Sequence, residues 1–105
     1  KNFTKYDYIL VSVISPLKKT RSHALKIFNE NYFEIHVFAS LETLIKRDTK
    51  GLYGLAKKGL INDLIGYNSK IKFEKSDHQY LRVNTGILSL HQSAIRILKY
   101  AKVID

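Results

Sequence analysis

The sequence predicts an α/β fold with parallel strands, on three observations. The run Tyr8–Ile14 is nearly continuously apolar and rich in β-branched residues, which is typical of a strand buried on both faces of a parallel sheet. A helical pattern follows, and the aromatic and β-branched stretch Tyr32–Ala39 indicates a second strand. Because a second helical pattern comes next, the order strand, helix, strand, helix favours right-handed parallel crossovers.

The first helix is expected to begin at Ser15 and Pro16, because serine is a favoured N-cap and proline is favoured at the first helical position. One side of this helix carries mainly apolar residues at helical spacing, with Arg21 among them. Ser40 is expected to cap a short second helix. At the start of the chain, Lys1–Lys5 is polar and is expected to be a frayed lead-in.

The second half of the chain is expected to be less regular. Residues 51–59 are predicted to hold one or two helical turns, and residues 62–77 a polar loop. Tyr80–Asn84 has the composition of a third, short strand. Ser89 and Gln92 form a capping-box pattern, which predicts the start of a last helix.

Composition restricts the class of protein. With 105 residues, 45% of them hydrophobic, the chain is one small ordered domain or part of one. It has no cysteine, which excludes disulfides and thiolate metal sites and fits a reducing cytoplasm, the compartment we expect. No apolar run approaches the roughly 18 residues of a membrane span, so no membrane partner is expected. Methionine is absent, and we expect that the chain does not begin at a translation start.

The net charge of +9 favours polyanionic partners. A nucleotide with several phosphates is one candidate and nucleic acid is another. The basic residues are scattered and form no continuous stripe on any predicted helix. Most of the lysines are therefore expected to be solvated surface residues, and nucleic acid is not the partner that we expect.

The stretch Arg47–Tyr53 organises the chain. It reads Arg-Asp-Thr-Lys-Gly-Leu-Tyr, and its charged pair stands where the short second helix should end. A basic segment punctuated by glycines follows as far as Gly66. This arrangement suits a lid that closes over a phosphorylated ligand.

Three landmarks resemble the adenylylsulfate kinase family. Arg47–Tyr53 resembles the family's Arg-Asp-Pro-Lys-Gly-Leu-Tyr, and Val11–Pro16 resembles its Ser-Phe-Ile-Ser-Pro. Ala56–Gly66 stands where the family has a short basic segment and a Gly-Phe-Thr-Gly-type loop. The resemblance runs over nearly all of the chain. It implies a partial P-loop kinase-type three-layer fold with about three parallel strands and three to four helices. Residues 1–105 would be the C-terminal part of one such domain, with the substrate side and lid at about 47–76.

By resemblance, the reaction moves the γ-phosphate of ATP to the 3′-hydroxyl of adenylyl sulfate, with Mg²⁺ as the ion. The chain contains no G-x-x-x-x-G-K-[ST] loop, which would cradle the phosphates and hold Mg²⁺. In the family this loop lies N-terminal to the matched segments, on a strand between the two strands predicted here. We therefore expect this chain alone to be inactive. We also expect that the N-terminal half exists elsewhere in the full protein, or that the chain repacks or forms a homodimer.

The resemblance makes Ser15 the catalytic serine, beside the transferred phosphate at a helix N-terminus; the alternative is a plain N-cap. Arg47 is assigned to ATP binding in the lid, because a planar guanidinium binds phosphate and stacks on rings. Its alternatives are stabilising its own helix terminus and pairing with Asp48. Lys57 could add positive charge over the ATP phosphates, or it is solvated.

Five positions are assigned to the acceptor nucleotide: Ile14, Lys50, Gly51, Leu64 and Gly66. Lys50 matches a family lysine that contacts the sulfonucleotide, with a solvated lysine as the alternative, and Gly51 lets the backbone turn close to a phosphate. Leu64 replaces a phenylalanine that stacks on adenine, a loss of about 1 kcal/mol.

Two other functions stay open at this point. Because of Leu64, a related kinase could act on another nucleoside 5′-phosphate derivative. A non-catalytic basic module that binds nucleotide or nucleic acid is the alternative from a different class. The four histidines show no metal-ligand spacing, so no metal ligand is assigned in this chain.

Overall fold

The computed structural model describes residues 7–105, so the predicted lead-in Lys1–Lys5 lies outside the described residues. Within them the elements are α1 (Lys18–Phe28), a 3₁₀ turn (Asn29–Asn31), β1 (Ile35–Phe38), α2 (Leu41–Arg47), α3 (Leu52–Lys57), β2 (Leu81–Asn84) and α4 (Leu90–Tyr100). The α/β class is confirmed.

The sheet of the described residues has two strands, which run parallel as the order of elements predicted. The register pairs Ile35 with Leu81 and Phe38 with Asn84, so both strands end at one edge of the sheet. Helix α4 packs on β2, and Val83 in the middle of β2 is completely buried.

The prediction of a strand at Tyr8–Ile14 is wrong for this structure. The run has no regular secondary structure, and its apolar side chains are exposed, Leu10 at 93% and Val11 at 75%. A central parallel strand needs a hydrogen-bonded neighbour on each side, and no strand within residues 7–105 pairs with this run. The apolar pattern therefore indicates a burial that the described residues do not supply. The described residues contain two strands rather than the predicted three or so.

The prediction that Ser15 caps the first helix is also wrong. Helix α1 begins at Lys18, and Leu17 occupies the N-cap without a side-chain hydrogen bond. Ser15 has a positive φ of 40°. The Lys18 amide instead donates to Oε1 of Glu74 at 2.9 Å. A carboxylate from a distant loop thus satisfies one of the free amides of the helix terminus and complements its dipole.

The other two predicted caps are confirmed. The Ser40 hydroxyl accepts a hydrogen bond from the Thr43 amide at the start of α2. Ser89 and Gln92 form a complete capping box at the start of α4. No helix among residues 7–105 has the length and apolar character required to cross a membrane.

Candidate functional site

Arg47 is held at the edge of the sheet where both strands end. It is the last residue of α2, and its guanidinium donates to the Thr85 hydroxyl at 2.9 Å and to the Thr85 carbonyl at 2.6 Å. Thr85 directly follows β2, and its amide donates to the Phe38 carbonyl at the end of β1. In open parallel sheets, ligands bind beyond this edge. The guanidinium thus bonds to Thr85 rather than to Asp48.

The stretch Arg47–Tyr53 forms a tight, solvent-facing turn around Asp48. The two carboxylate oxygens of Asp48 accept hydrogen bonds from the Tyr53 amide at 2.9 Å and the Gly54 amide at 3.0 Å. Gly51 precedes α3 with a φ of 69°, a left-handed conformation that glycine adopts without strain. Lys50 is exposed at the tip of the turn. Among the described residues, no hydrogen bond or ion pair engages its ammonium.

Because α3 has only six residues, its stability should depend on this carboxylate. We expect Asp48→Ala to lower the free energy of unfolding by about 1–2 kcal/mol, the usual effect of losing a capping side chain. Hydrogen exchange of the Tyr53 and Gly54 amides should accelerate. Urea unfolding and amide exchange measure the two effects. Asp63→Ala, at an exposed loop carboxylate, is the control. Equal stability of the two variants would contradict this role of Asp48.

The predicted lid continues in a second tight turn, where Leu64 and Gly66 lie. The amides of residues 67–69 all donate to the Leu64 carbonyl, and Gly66 has a φ of 86°. The ring of Tyr67 packs edge-on against that of Tyr53, with centroids 5.9 Å apart. The structure therefore brings this turn next to the turn at 47–53, while Lys57 stands exposed at the end of α3.

The structure does not bring Ser15 and Ile14 to the edge of the sheet where Arg47 lies. The Ser15 carbonyl accepts a 2.6 Å hydrogen bond from Arg21, whose Nε lies 3.6 Å from the carboxylate of Glu34. Glu34 directly precedes β1, whereas Arg47 lies beyond the other end of this strand, which is about 13 Å away at the usual rise of a strand. Ser15 thus stays at the amino end of β1, because the run before it has no strand partner.

A buried polar cluster around Glu34 was not predicted. Its carboxylate accepts hydrogen bonds from the hydroxyls of Tyr32, at 2.8 Å, and Ser76, and lies 2.7 Å from Nε2 of His78. Arg21 completes the cluster and is only 8% exposed. The sequence signal for it was an arginine on the apolar side of α1, since such a residue needs a buried counter-charge.

Hydrogen bonds and burial shift the pKa values of Glu34 and Tyr32 in this cluster. Burial of Glu34 opposes its charged form, but the hydrogen bonds from Ser76, Tyr32 and His78 and the charge of His78 outweigh burial and lower the Glu34 pKa. Burial, then the hydrogen bond to Glu34, raises the pKa of Tyr32 well above its ordinary value. Tyr32 therefore remains a hydroxyl donor and Glu34 a carboxylate acceptor at neutral pH.

Comparison with known proteins identifies the family of the chain. The family model described as Adenylylsulphate kinase matches residues 1–84. The chain belongs to the adenylylsulphate kinase family. Its α/β architecture with parallel strands accordingly corresponds to part of a P-loop kinase-type fold.

Named relatives support the same family. The probable adenylyl-sulfate kinase of Pyrococcus abyssi is 36% identical over 93 residues, which are 89% of this chain and 52% of the relative. The adenylyl-sulfate kinase of Prochlorococcus marinus is 34% identical over 98 residues, or 92% of this chain and 47% of the relative. The chain spans about half the length of the curated relatives that it matches. No solved structure matches.

The adenylylsulphate kinase family implies ATP as a substrate. This raises the question of which residues would hold the metal ion of the reaction. Within residues 7–105, no three carboxylate or imidazole side chains lie together in a group that could hold a metal. We therefore assign no Mg²⁺ ligand among these residues and no step to the ion. What these residues offer a phosphorylated ligand is positive charge: Arg47, Lys50 and Lys57 are all exposed.

Proposed function

We propose that this chain forms the acceptor side and the lid of an ATP-dependent kinase that transfers the γ-phosphate of ATP to the 3′-hydroxyl of adenylyl sulfate. The observation that carries the proposal is the exposed turn at 47–53, which Arg47 anchors to the carboxyl edge of a parallel sheet. The family match over residues 1–84 supports the same reaction. As part of the proposal, the kinase acts in the cytoplasm.

In this proposal the two turns of the lid divide the ligands between them. Lys50 and Gly51 bind the phosphosulfate of the acceptor, and Leu64 and Gly66 contact its adenine. Arg47 binds ATP phosphates, and Lys57 contributes charge over them. The bonds to Thr85 leave Arg47 able to do so, because a guanidinium has five N–H donors and Thr85 accepts only two bonds.

The roles of Ser15 and Ile14 require a more complete sheet. We propose that an additional strand pairs between the run Tyr8–Ile14 and β1, which would bring Ser15 to the carboxyl edge as the catalytic serine. It would also remove exposed apolar side chains from water, among them Ile14 at 69% exposure. The proposed source of the strand is an N-terminal half of the same protein, which would also carry the phosphate-cradling loop. A second copy of the chain is the alternative.

Binding of the acceptor tests this proposal with the chain as it is. In isothermal titration calorimetry, adenylyl sulfate should bind to the 105-residue chain, and Lys50→Ala should weaken the affinity by about tenfold, the usual loss for one hydrogen bond between charged groups. Lys70→Ala, at another exposed lysine of the loop, is the matched control. If both variants bind like the unmodified chain, Lys50 is not a ligand.

The same titrations distinguish the alternatives. Tighter binding of another nucleoside 5′-phosphate derivative than of adenylyl sulfate would favour the related kinase, for which the aliphatic Leu64 is the motivation. Salt-dependent binding to DNA of arbitrary sequence, with no binding of either nucleotide, would favour the non-catalytic basic module, as expected from its net charge of +9.

A further inference from the structure

Arg21 makes contacts that the proposed nucleotide sites do not use. Its guanidinium donates to the carbonyls of Ser15, at 2.6 Å, and Glu74, and its Nε donates to the Ser76 hydroxyl at 3.0 Å. The guanidinium also lies over the ring of Phe73, 4.6 Å from its centroid. One side chain of α1 thus contacts both the turn at residues 15–17, here called the Ser15 turn, and residues 73–77, here called the lid stem.

Backbone contacts join the same two segments. The Glu74 amide donates to the Pro16 carbonyl at 2.8 Å. In return, the Glu74 carboxylate accepts from the Lys18 amide at 2.9 Å. A more exposed ion pair joins the Lys18 ammonium to Asp77 at 3.3 Å. Because the lid stem is the end of the lid loop that leads into β2, these bonds connect the lid directly with the Ser15 turn.

The buried counter-charge holds the guanidinium in one orientation. Glu34 lies 3.6 Å from Nε of Arg21, and both side chains are about nine-tenths buried. Tyr32, Ser76 and His78 fix the carboxylate in turn. Three guanidinium nitrogens bond in three directions, which the single ammonium of a lysine at the end of a flexible stem cannot reproduce.

We propose that Arg21 is a positioning residue that joins the Ser15 turn and the lid stem into one unit. In the 105-residue chain, without the additional strand, closure of the lid on the acceptor nucleotide moves this unit as a whole, and the start of α1 moves with it. The functional part of this inference rests on the proposed kinase function, whereas the joining of the two segments can be measured without any ligand.

Amide hydrogen exchange of the 105-residue chain, followed by NMR, tests the joining. In Arg21→Lys, the Lys18 and Glu74 amides should exchange at least about tenfold faster, because at least one charge-assisted bond that holds the two segments together is lost. The amides of Gly51 and Thr85, which bond elsewhere, should keep their rates. Arg96→Lys, at an exposed arginine of α4, is the control. Unchanged exchange at Lys18 and Glu74 would overturn the proposal.

A second variant separates the loss of the joining contacts from global destabilisation of the fold. If Arg21→Lys accelerates all amides alike, Ser76→Ala is measured in its place, since it removes one acceptor of Arg21 and leaves the charge pair intact. Faster exchange at Lys18 and Glu74 with an unchanged rate at Thr85 supports the proposal. No difference from the unmodified chain overturns it.

Addition of adenylyl sulfate tests the functional part. In the unmodified chain the nucleotide should slow exchange at both Gly51 and Lys18. In Arg21→Lys the slowing should remain at Gly51 and disappear at Lys18, which a purely stabilising role of Arg21 would not produce. Slowing at Lys18 that persists in the variant overturns the inference. If no amide of the unmodified chain slows, the proposed function fails, and the ligand-free rates alone decide whether Arg21 joins the two segments.

Discussion

Replacing Glu34 by alanine is expected to lower the free energy of unfolding by about 3–5 kcal/mol, because it leaves Arg21 buried without its counter-charge. The loss is a large part of the roughly 5–15 kcal/mol that stabilises a typical domain. Two hydroxyls, those of Tyr32 and Ser76, lose their acceptor as well. Urea unfolding followed by circular dichroism measures the change.

Two comparisons make this experiment specific. Glu30→Ala removes an exposed carboxylate from the 3₁₀ turn close by and should change stability by less than about 0.5 kcal/mol. Glu34→Gln keeps the shape and some of the hydrogen bonds, so it should fall between the two alanine variants. If Glu34→Ala is as stable as Glu30→Ala, the buried pair has no stabilising role.

The pH dependence of this stability difference follows from the lowered pKa of Glu34. A carboxyl group whose pKa is lower in the folded than in the unfolded chain stabilises the fold above its unfolded pKa, and this contribution is lost as the pH falls through the folded pKa. The difference in stability between the unmodified chain and Glu34→Ala should therefore be full at neutral pH. It should begin to shrink below about pH 4.3, the ordinary glutamate value.

A hybrid enzyme is expected to show the second large effect. The 105-residue chain alone should not turn over ATP, because it lacks a phosphate-cradling loop. Joined behind the unmatched part of the Pyrococcus abyssi relative, it should gain a partner for the run Tyr8–Ile14 and release ADP when adenylyl sulfate is present. A coupled assay of ADP release measures this. A folded hybrid without activity would contradict the proposed function.

Within an active hybrid, Ser15→Ala should lower kcat by about 10²–10³-fold, the usual effect of removing one donor from a developing charge. Ser22→Ala, in the middle of α1, is the matched control and should retain activity. Circular dichroism of both variants establishes that they fold alike. Equal turnover would show that Ser15 is not a catalytic residue.

Predictions from the sequence succeeded where the physical cause is local. A capping hydroxyl bonds to an amide three residues away, so Ser40 and Ser89 could be recognised from their own neighbourhoods. The end of α2 near Arg47 was predicted for a similar reason, since a charged pair follows an amphipathic run there. Ser15 shows the limit of such signals. Its local pattern favoured a cap, but the Glu74 carboxylate occupies that place from 56 residues away.

The strand prediction at Tyr8–Ile14 failed for a different physical reason. Apolar periodicity reports that side chains are suited to burial, but pairing depends on a neighbouring backbone. For β1 and β2 this neighbour exists within the described residues, and the predicted parallel pairing formed. For the run before Ser15, no such neighbour exists within the described residues. Ser15 therefore lies at the end of β1 opposite to Arg47 rather than beside it.

The sequence by itself determined the α/β class, the parallel order, two helix caps and the family, because these depend on residue types within a few positions or on an ordered series of motifs. Only the tertiary structure decided that Arg47 bonds to Thr85 and that Arg21 joins the Ser15 turn to the lid stem. Arg47 and Thr85 lie 38 residues apart in the chain, and Arg21 lies 53 and 55 residues from its lid-stem partners Glu74 and Ser76. Which distant polar groups become neighbours is set by the packing of the whole fold, for which no local pattern provides a signal.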